Sequence, residues 1–171
     1  SLLPESMGRY RPPAAAKSPY ITADGYARLR REAEELWVLR REVTQALAAA
    51  AAEGDRSENA EYIYRKKQLR EMDRRISYLQ RRLPELKVVH AGPLDTEKVF
   101  FGAWVTLEES DGTELSFRIV GADEFDPKQN WISVDSPMAR ALLTRSVDQE
   151  FSVRTPAGEK SYLVIEVRYG A

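Results

Sequence analysis

The sequence predicts an α+β chain in two parts: an antiparallel α-helical coiled-coil hairpin, then a mostly antiparallel β domain with one short helix. Apolar residues recur every seven positions in two successive stripes up to Leu86, and from Lys87 onward the period falls to two. Charge divides at the same place. Residues 19–90 hold 15 Lys+Arg against 12 Asp+Glu, whereas residues 91–171 hold 8 against 14. The whole chain of 171 residues has a formal net charge of -1, which alone argues against attraction to a polyanion. The segment counts describe instead a basic shaft joined to an acidic globular end.

Residues 1–19 mix Pro, Ala and a little positive charge without periodicity and read as a flexible arm with no assigned role. The hairpin is expected over residues 20–90. Thr22 is placed to cap its first helix, with Asp24 in the first turn. Leu29, Leu36, Val43 and Ala50 form one seam position, joined by Leu39 and Ala46. Tyr62, Leu69, Ile76 and Leu83 form the opposing seam, joined by Met72, Leu79 and Leu86. A single break at Glu53-Gly54-Asp55 separates the stripes, so each arm is about 28 residues and reaches about 40 Å. The break lies in an acidic tip at residues 53–61.

Residues 91–171 form the globular domain. Strands are expected in FFGAWVTL, WISV, EFSVR and SYLVIEVRY, and in the alternation Leu115, Phe117, Ile119 that follows the turn pair Asp111-Gly112. Ser136-Pro137 before MARALL reads as an N-cap and first-turn proline opening a short helix. The three tryptophans Trp37, Trp104 and Trp131 read as packing residues, one of them at an interface. His90 reads as a boundary residue, because no Ser, Asp or Glu pattern for nucleophilic catalysis surrounds it.

Several functions are excluded at once. Without cysteine there is no disulfide framework, thiolate metal site or cysteine nucleophile. No Gly-rich phosphate loop, zincin motif or nucleophile elbow is present. No stretch approaches the roughly 18 apolar residues of a membrane span, and the opening residues lack a signal pattern, so a soluble cytoplasmic chain is expected.

Two constellations carry chemistry. Asp55 and Glu58 lie three apart at a helix start, where they can present oxygens to a hard cation such as Mg²⁺, although two carboxylates are too few for a full cage. The same spacing is a capping box, with Asp55 as N-cap and Glu58 at the third helical position. On spacing alone capping is the commoner reading, and the two are compatible. Residues 62–82 hold eight Lys/Arg and two Asp/Glu. Lys66, Lys67, Arg70 and Arg74 share faces that suit successive phosphates. The competing reading pairs the basic run with Glu34, Glu35 and Glu42 of the first arm.

The tip GDRSENAEY resembles the signature of the bacterial Gre family of transcript-cleavage factors, and the resemblance extends over about residues 19–170. RKKQLREMDRRISYL, KVFFGAWV, SPMARALL and TPAGE are similar to its B-type branch. The resemblance implies a C-terminal domain similar to the FKBP fold, docked at the rim of the secondary channel of bacterial RNA polymerase. It implies that the coiled coil passes down that channel, and that Asp55 and Glu58 help hold an Mg²⁺ kept mainly by the polymerase, with none bound by the isolated protein. The factor is then not an enzyme itself but stimulates the polymerase's own hydrolysis of backtracked RNA. By the same resemblance Ser57, Asn59 and Tyr62 shape the tip, and Asp135, Ser136 and Pro137 contact polymerase. Lys66, Lys67, Arg70 and Arg74 line the path of the RNA 3′ segment. No membrane partner is implied, and the free protein is expected to be a monomer. Two other readings stay open: a non-cleaving secondary-channel regulator, and a prolyl-isomerase-like module suggested by fold alone.

Overall fold

The computed structural model describes residues 16–54, 59–90, 92 and 95–170. Strand β1 (Tyr20–Thr22) leads into helix α1 (Ala23–Ala51), and helix α2 (Ala60–Arg82) returns antiparallel beside it. Thr22 caps α1 as the sequence predicts, its side chain accepting from the Gly25 N–H, with Asp24 favourably placed in the first turn. At 29 residues α1 is about 43 Å long. The shorter α2 ends at Arg82, where Pro84 turns the chain into a 3-10 segment (Leu83–Glu85).

The heptad seam buries Leu29, Val43 and Ala50 of α1 against Met72, Ile76 and Leu79 of α2. Each of the larger side chains so buried, Leu29, Val43, Met72, Ile76 and Leu79, contributes about 1.5–3 kcal/mol. One seam assignment needs correction: Leu39 is 39% exposed. It sits beside exposed Trp37 and Val38, so the α1 surface there is apolar without a partner helix, and Trp37 is no packing residue.

At the foot of the hairpin β1 pairs in parallel with β2 (Lys87–Val89), with Ile21 opposite Val88. This pairing is absent from the sequence reading. It puts Ile21, completely buried, onto Leu29 and Leu79, with Tyr26, Leu36, Tyr78, Leu83 and Leu86 packed around them.

The C-terminal sheet comprises β3 (Trp104–Glu109), β4 (Glu114–Val120), β5 (Trp131–Ser133), β6 (Glu150–Thr155) and β7 (Gly158–Arg168) in the order β5-β4-β3-β7-β6. Only the β4–β5 pair is parallel. Alternation puts Val105 and Leu107 of β3, Phe151 and Val153 of β6, and Tyr162 and Val164 of β7 into one core. Helix α3 (Pro137–Leu142) closes that core with Ala139 and Leu142. The β3–β4 hairpin turns at Asp111-Gly112, where Gly112 has φ 87° and the Asp111 carboxylate accepts from the Thr113 N–H at 2.9 Å. The expected strand FFGAWVTL begins only at Trp104. Ahead of it, Gly102 adopts φ 88°, and the Phe100 N–H donates to the Tyr169 hydroxyl at 2.8 Å instead of entering a ladder.

Candidate functional site

The far end of the hairpin is closed by one side chain. Asn59 precedes α2 with extended backbone, and its Oδ1 accepts from the Tyr62 N–H at 3.1 Å. Its Nδ2 donates 2.7 Å across to the Ala50 carbonyl in the last turn of α1, which also accepts from the Glu53 N–H at 3.2 Å. The helix therefore starts at Ala60, and the expected capping box with Asp55 as N-cap and Glu58 at the third position is incorrect: Asn59 takes the capping position four residues later. The signal in the sequence is Asn59 itself, a strong capping residue followed by Glu61 in the first turn. Asp55, Ser57 and Glu58 lie outside the described residues. Asn59 and Tyr62 are half-buried where the two arms meet. Among the described residues no group of three or more His, Cys, Asp or Glu is placed to hold a metal.

Ion pairing sorts the basic residues of α2 into two sets. Arg75 pairs with Glu32 at 2.8 Å, and Arg40 of α1 reaches Asp73 at 2.7 Å, so the arms are laced together on their flanks. Hydrogen bonding by these carboxylates raises the pKa of both guanidinium groups. The acids used are Glu32 and Asp73; the expected partners Glu34, Glu35 and Glu42 make no ion pair among the described residues. Near the tip Arg65 is held by Glu61 at 2.8 Å and by Gln68 at 3.0 Å, and Lys66 lies 5.8 Å from the centre of the Tyr62 ring.

Lys67, Arg70 and Arg74 form the second set. All three are exposed and make no ion pair among the described residues. At 100° per residue they fall on one face, turned away from the Met72–Ile76–Leu79 seam. Lys66 is exposed on the flank of that face. Arg82, the last residue of the basic run, belongs to neither set: it is 7% exposed and turned into the joint between the domains.

There its Nε donates to Asp123 at 2.8 Å, and the Tyr78 hydroxyl donates to the other oxygen of the same carboxylate. Burial acts to raise the Asp123 carboxyl, but these bonds outweigh it and leave the pKa below the ordinary value. Beside it the Glu124 carboxylate accepts from the Thr22 N–H at 3.1 Å, from the Thr22 hydroxyl, and from the Gly121 N–H at 2.8 Å. Trp131 stacks under Arg28 of α1 at 5.4 Å and Arg118 of β4 at 5.3 Å, so it is the interface tryptophan. Trp104 is covered by Arg168 at 5.0 Å, and His90 is exposed directly after β2.

Asp135, Ser136 and Pro137 lie together at the start of α3. The Ser136 hydroxyl caps the helix, accepting from the Ala139 N–H at 3.2 Å, and Pro137 is exposed in its first turn. Asp135 accepts from Ser18 through both oxygens. The sequence reading missed Ser18, Tyr78, Asp123 and Glu124. Their partners are 41 to 117 residues away along the chain, and no local spacing marks them.

The described residues therefore define a long helical hairpin, with a cationic outer face that makes no ion pair among them, bonded to a small β domain. Family comparison places it among known proteins. The C-terminal domain family of "Transcription elongation factor, GreA/GreB" matches residues 94–169, and the N-terminal domain family of transcription elongation factors matches residues 19–88. The chain belongs to the GreA/GreB family of transcription elongation factors and is GreB-like. "Transcription elongation factor GreB" of Pseudomonas aeruginosa is 58% identical over 164 residues, covering 95% of this chain and 98% of the relative. That of Xanthomonas axonopodis pv. citri is 56% identical over 167 residues, covering 96% and 99%. Among solved structures, Thermus aquaticus Gfh1 is similar at 27% identity over 91% of this chain and 100% of its own, with a TM-score of 0.42.

Proposed function

We propose that this chain binds bacterial RNA polymerase, inserts its hairpin into the secondary channel, and stimulates the polymerase's own hydrolysis of backtracked RNA. The observation that carries the reading is the sorting of charge on α2. Arginines that lace the hairpin together are paired, whereas Lys67, Arg70 and Arg74 stand exposed on the outer face leading to the tip, without acidic partners among the described residues. An array of this kind suits phosphates of a single strand, and Lys66 extends it toward Tyr62. The RNA 3′ segment is its ligand.

Asn59 ties the two arms together one residue after Glu58 in the sequence, which supports a role for Asp55 and Glu58 at the closed end of the hairpin. Their oxygens suit Mg²⁺ by donor chemistry, and as two ligands they require the remainder from the polymerase. The ion supplies charge stabilisation for the attacking and leaving oxygens of phosphodiester hydrolysis. The chain contributes ligands and positioning, and the polymerase is the catalyst. Function in the cytoplasm as a free monomer belongs to this reading; no helix among the described residues is long and apolar enough to cross a membrane.

The reading is tested in a stalled, backtracked polymerase complex. Asp55→Ala and Glu58→Ala are expected to abolish cleavage while polymerase binding survives; full cleavage by Asp55→Ala would sink the assigned chemistry. A non-cleaving regulator is not favoured, given near full-length similarity to GreB. A prolyl isomerase is not favoured, because it rests on fold resemblance alone.

A further inference from the structure

The segment 16–22 crosses the joint between the hairpin and the β domain and bonds to both. On the hairpin side, the Ser18 carbonyl accepts from Arg82 Nη2 at 2.7 Å, and the Pro19 carbonyl accepts from the Lys87 N–H at 2.8 Å. On the β-domain side, the Ser18 N–H donates to Asp135 Oδ2 at 2.9 Å and the Ser18 hydroxyl donates to Asp135 Oδ1. Four residues further on, Thr22 binds Glu124 through backbone and side chain. The Tyr20 ring meets Phe101 at 6.2 Å. The fit is close at two glycines. A methyl group at Gly121 would overlap the Tyr20 carbonyl, and one at Gly25 would overlap the Glu124 carboxylate.

This network changes what the Asp-Ser-Pro segment offers a partner. Ser136 is committed to capping α3 and both Asp135 oxygens are committed to Ser18, which leaves Pro137 exposed as the group free to meet a protein surface. A carboxylate that accepts two hydrogen bonds from one residue is held in one orientation, and here it holds that residue in turn. Ser18 is therefore bonded at once to Arg82 at the base of α2 and to Asp135 at the head of α3. Among the described residues the two domains also meet through the Trp131, Asp123, Glu124 and Tyr20–Phe101 contacts.

We propose that Ser18 is a positioning residue for docking: clamped between Arg82 and Asp135, it makes segment 16–22 a strap that fixes the angle between hairpin and β domain. With that angle fixed, Pro137 and the hairpin tip engage one partner together. Asp135 acts through Ser18 and not as the contact to the partner. The functional half of this inference rests on the docking reading given above; the structural half does not.

The absence of cysteine allows clean labelling of the full chain. Spin labels at Ala48→Cys on α1 and Glu159→Cys near the start of β7 report the interdomain distance by pulsed electron resonance. The chain with native Ser18 is expected to give one narrow distribution, Ser18→Ala a broad one, and Ser18→Thr, which keeps the hydroxyl, a narrow one again. In the cleavage assay, Ser18→Ala is expected to raise the factor concentration for half-maximal cleavage about tenfold, the effect of losing a hydrogen bond to a carboxylate. The maximal rate is unchanged, and combining Ser18→Ala with Asp135→Asn adds little to either change alone. A narrow distribution in Ser18→Ala overturns the strap. A broad distribution with an unchanged half-maximal concentration, in a system where Pro137→Ala raises it, overturns the link from angle to docking. If Pro137→Ala has no effect on polymerase affinity, the docking reading fails and takes the functional half with it, while the distance measurement still stands on its own.

Discussion

Asn59 is bonded in two directions, to the N–H of Tyr62 in its own helix and to the carbonyl of Ala50 in the other. The amide group is suited to this because it carries an acceptor and a donor on one planar fork. Asn59→Asp keeps the acceptor and remains a good cap, but its second oxygen faces the Ala50 carbonyl with no proton to give. Asn59→Ala loses both bonds and is expected to cost about 2 kcal/mol in urea unfolding, about 1 for the cap and about 1 for the cross-arm bond. Asn59→Asp should cost about 1 kcal/mol, the cross-arm bond alone, and cleave more slowly than the unaltered chain, because the two arms are then released from each other at the tip. Equal cleavage by Asn59→Asp and the unaltered chain would show that closure between the arms is not used. Here sequence reasoning erred in an instructive way. Asp55-x-x-Glu58 satisfied the capping pattern so well that the better cap four residues on went unweighed, although a seam beginning at Tyr62 already places the helix start near Asn59.

At the scale of elements, the hairpin was legible because its information is local. Heptad spacing within each arm determines which face is buried, and Val43, Ala50, Met72, Ile76 and Leu79 are buried accordingly. The β3–β4 hairpin was legible for the same reason, since Asp111-Gly112 supplies both the turn and its hydrogen bond. Pairing between charges was not legible, because spacing along one helix says nothing of its rotation about the other. That rotation selects Glu32 and Asp73 as partners and leaves Lys67, Arg70 and Arg74 outside. A prediction belongs to this face. Replacing Lys67, Arg70 and Arg74 together by Ala removes up to three phosphate contacts, so the log–log salt slope for binding to a polymerase complex with extruded RNA should flatten by about 2. Binding to a complex without extruded RNA should keep its slope, and hairpin stability should hold, since none of the three is part of the lacing pairs. An unchanged slope in the backtracked complex would remove this face from the RNA path.

The whole molecule depends on contacts that no window of sequence contains. Ser18 to Asp135 spans 117 residues, Thr22 to Glu124 spans 102 and Arg82 to Asp123 spans 41, and all converge where the two domains meet. Residues 16–19, which read as the end of a featureless arm, therefore become the bonded approach to β1, and an arginine in a basic run becomes a buried partner. The joint also gives the molecule a definite response to acid. The Asp123 and Asp135 carboxyls are both held below their ordinary pKa: burial opposes this, and the bonds from Tyr78 and Arg82 at one, and from Ser18 at the other, outweigh it. A carboxylate with a depressed folded-state pKa contributes stability that is complete above its unfolded value, about 4, and is lost as the pH falls through the folded value. Asp123→Asn removes that contribution and leaves Arg82, with 9% of its side chain exposed, short of its main anionic partner. Breaking a buried pair from one side costs about 3 kcal/mol. Calorimetry from pH 7 to pH 3 should therefore find Asp123→Asn unfolding at a lower temperature by a constant amount down to about pH 5. Below about pH 4 the unaltered chain loses its advantage and the two curves converge. Curves that stay parallel to pH 3 would show that the fold does not hold the Asp123 carboxyl below its ordinary pKa.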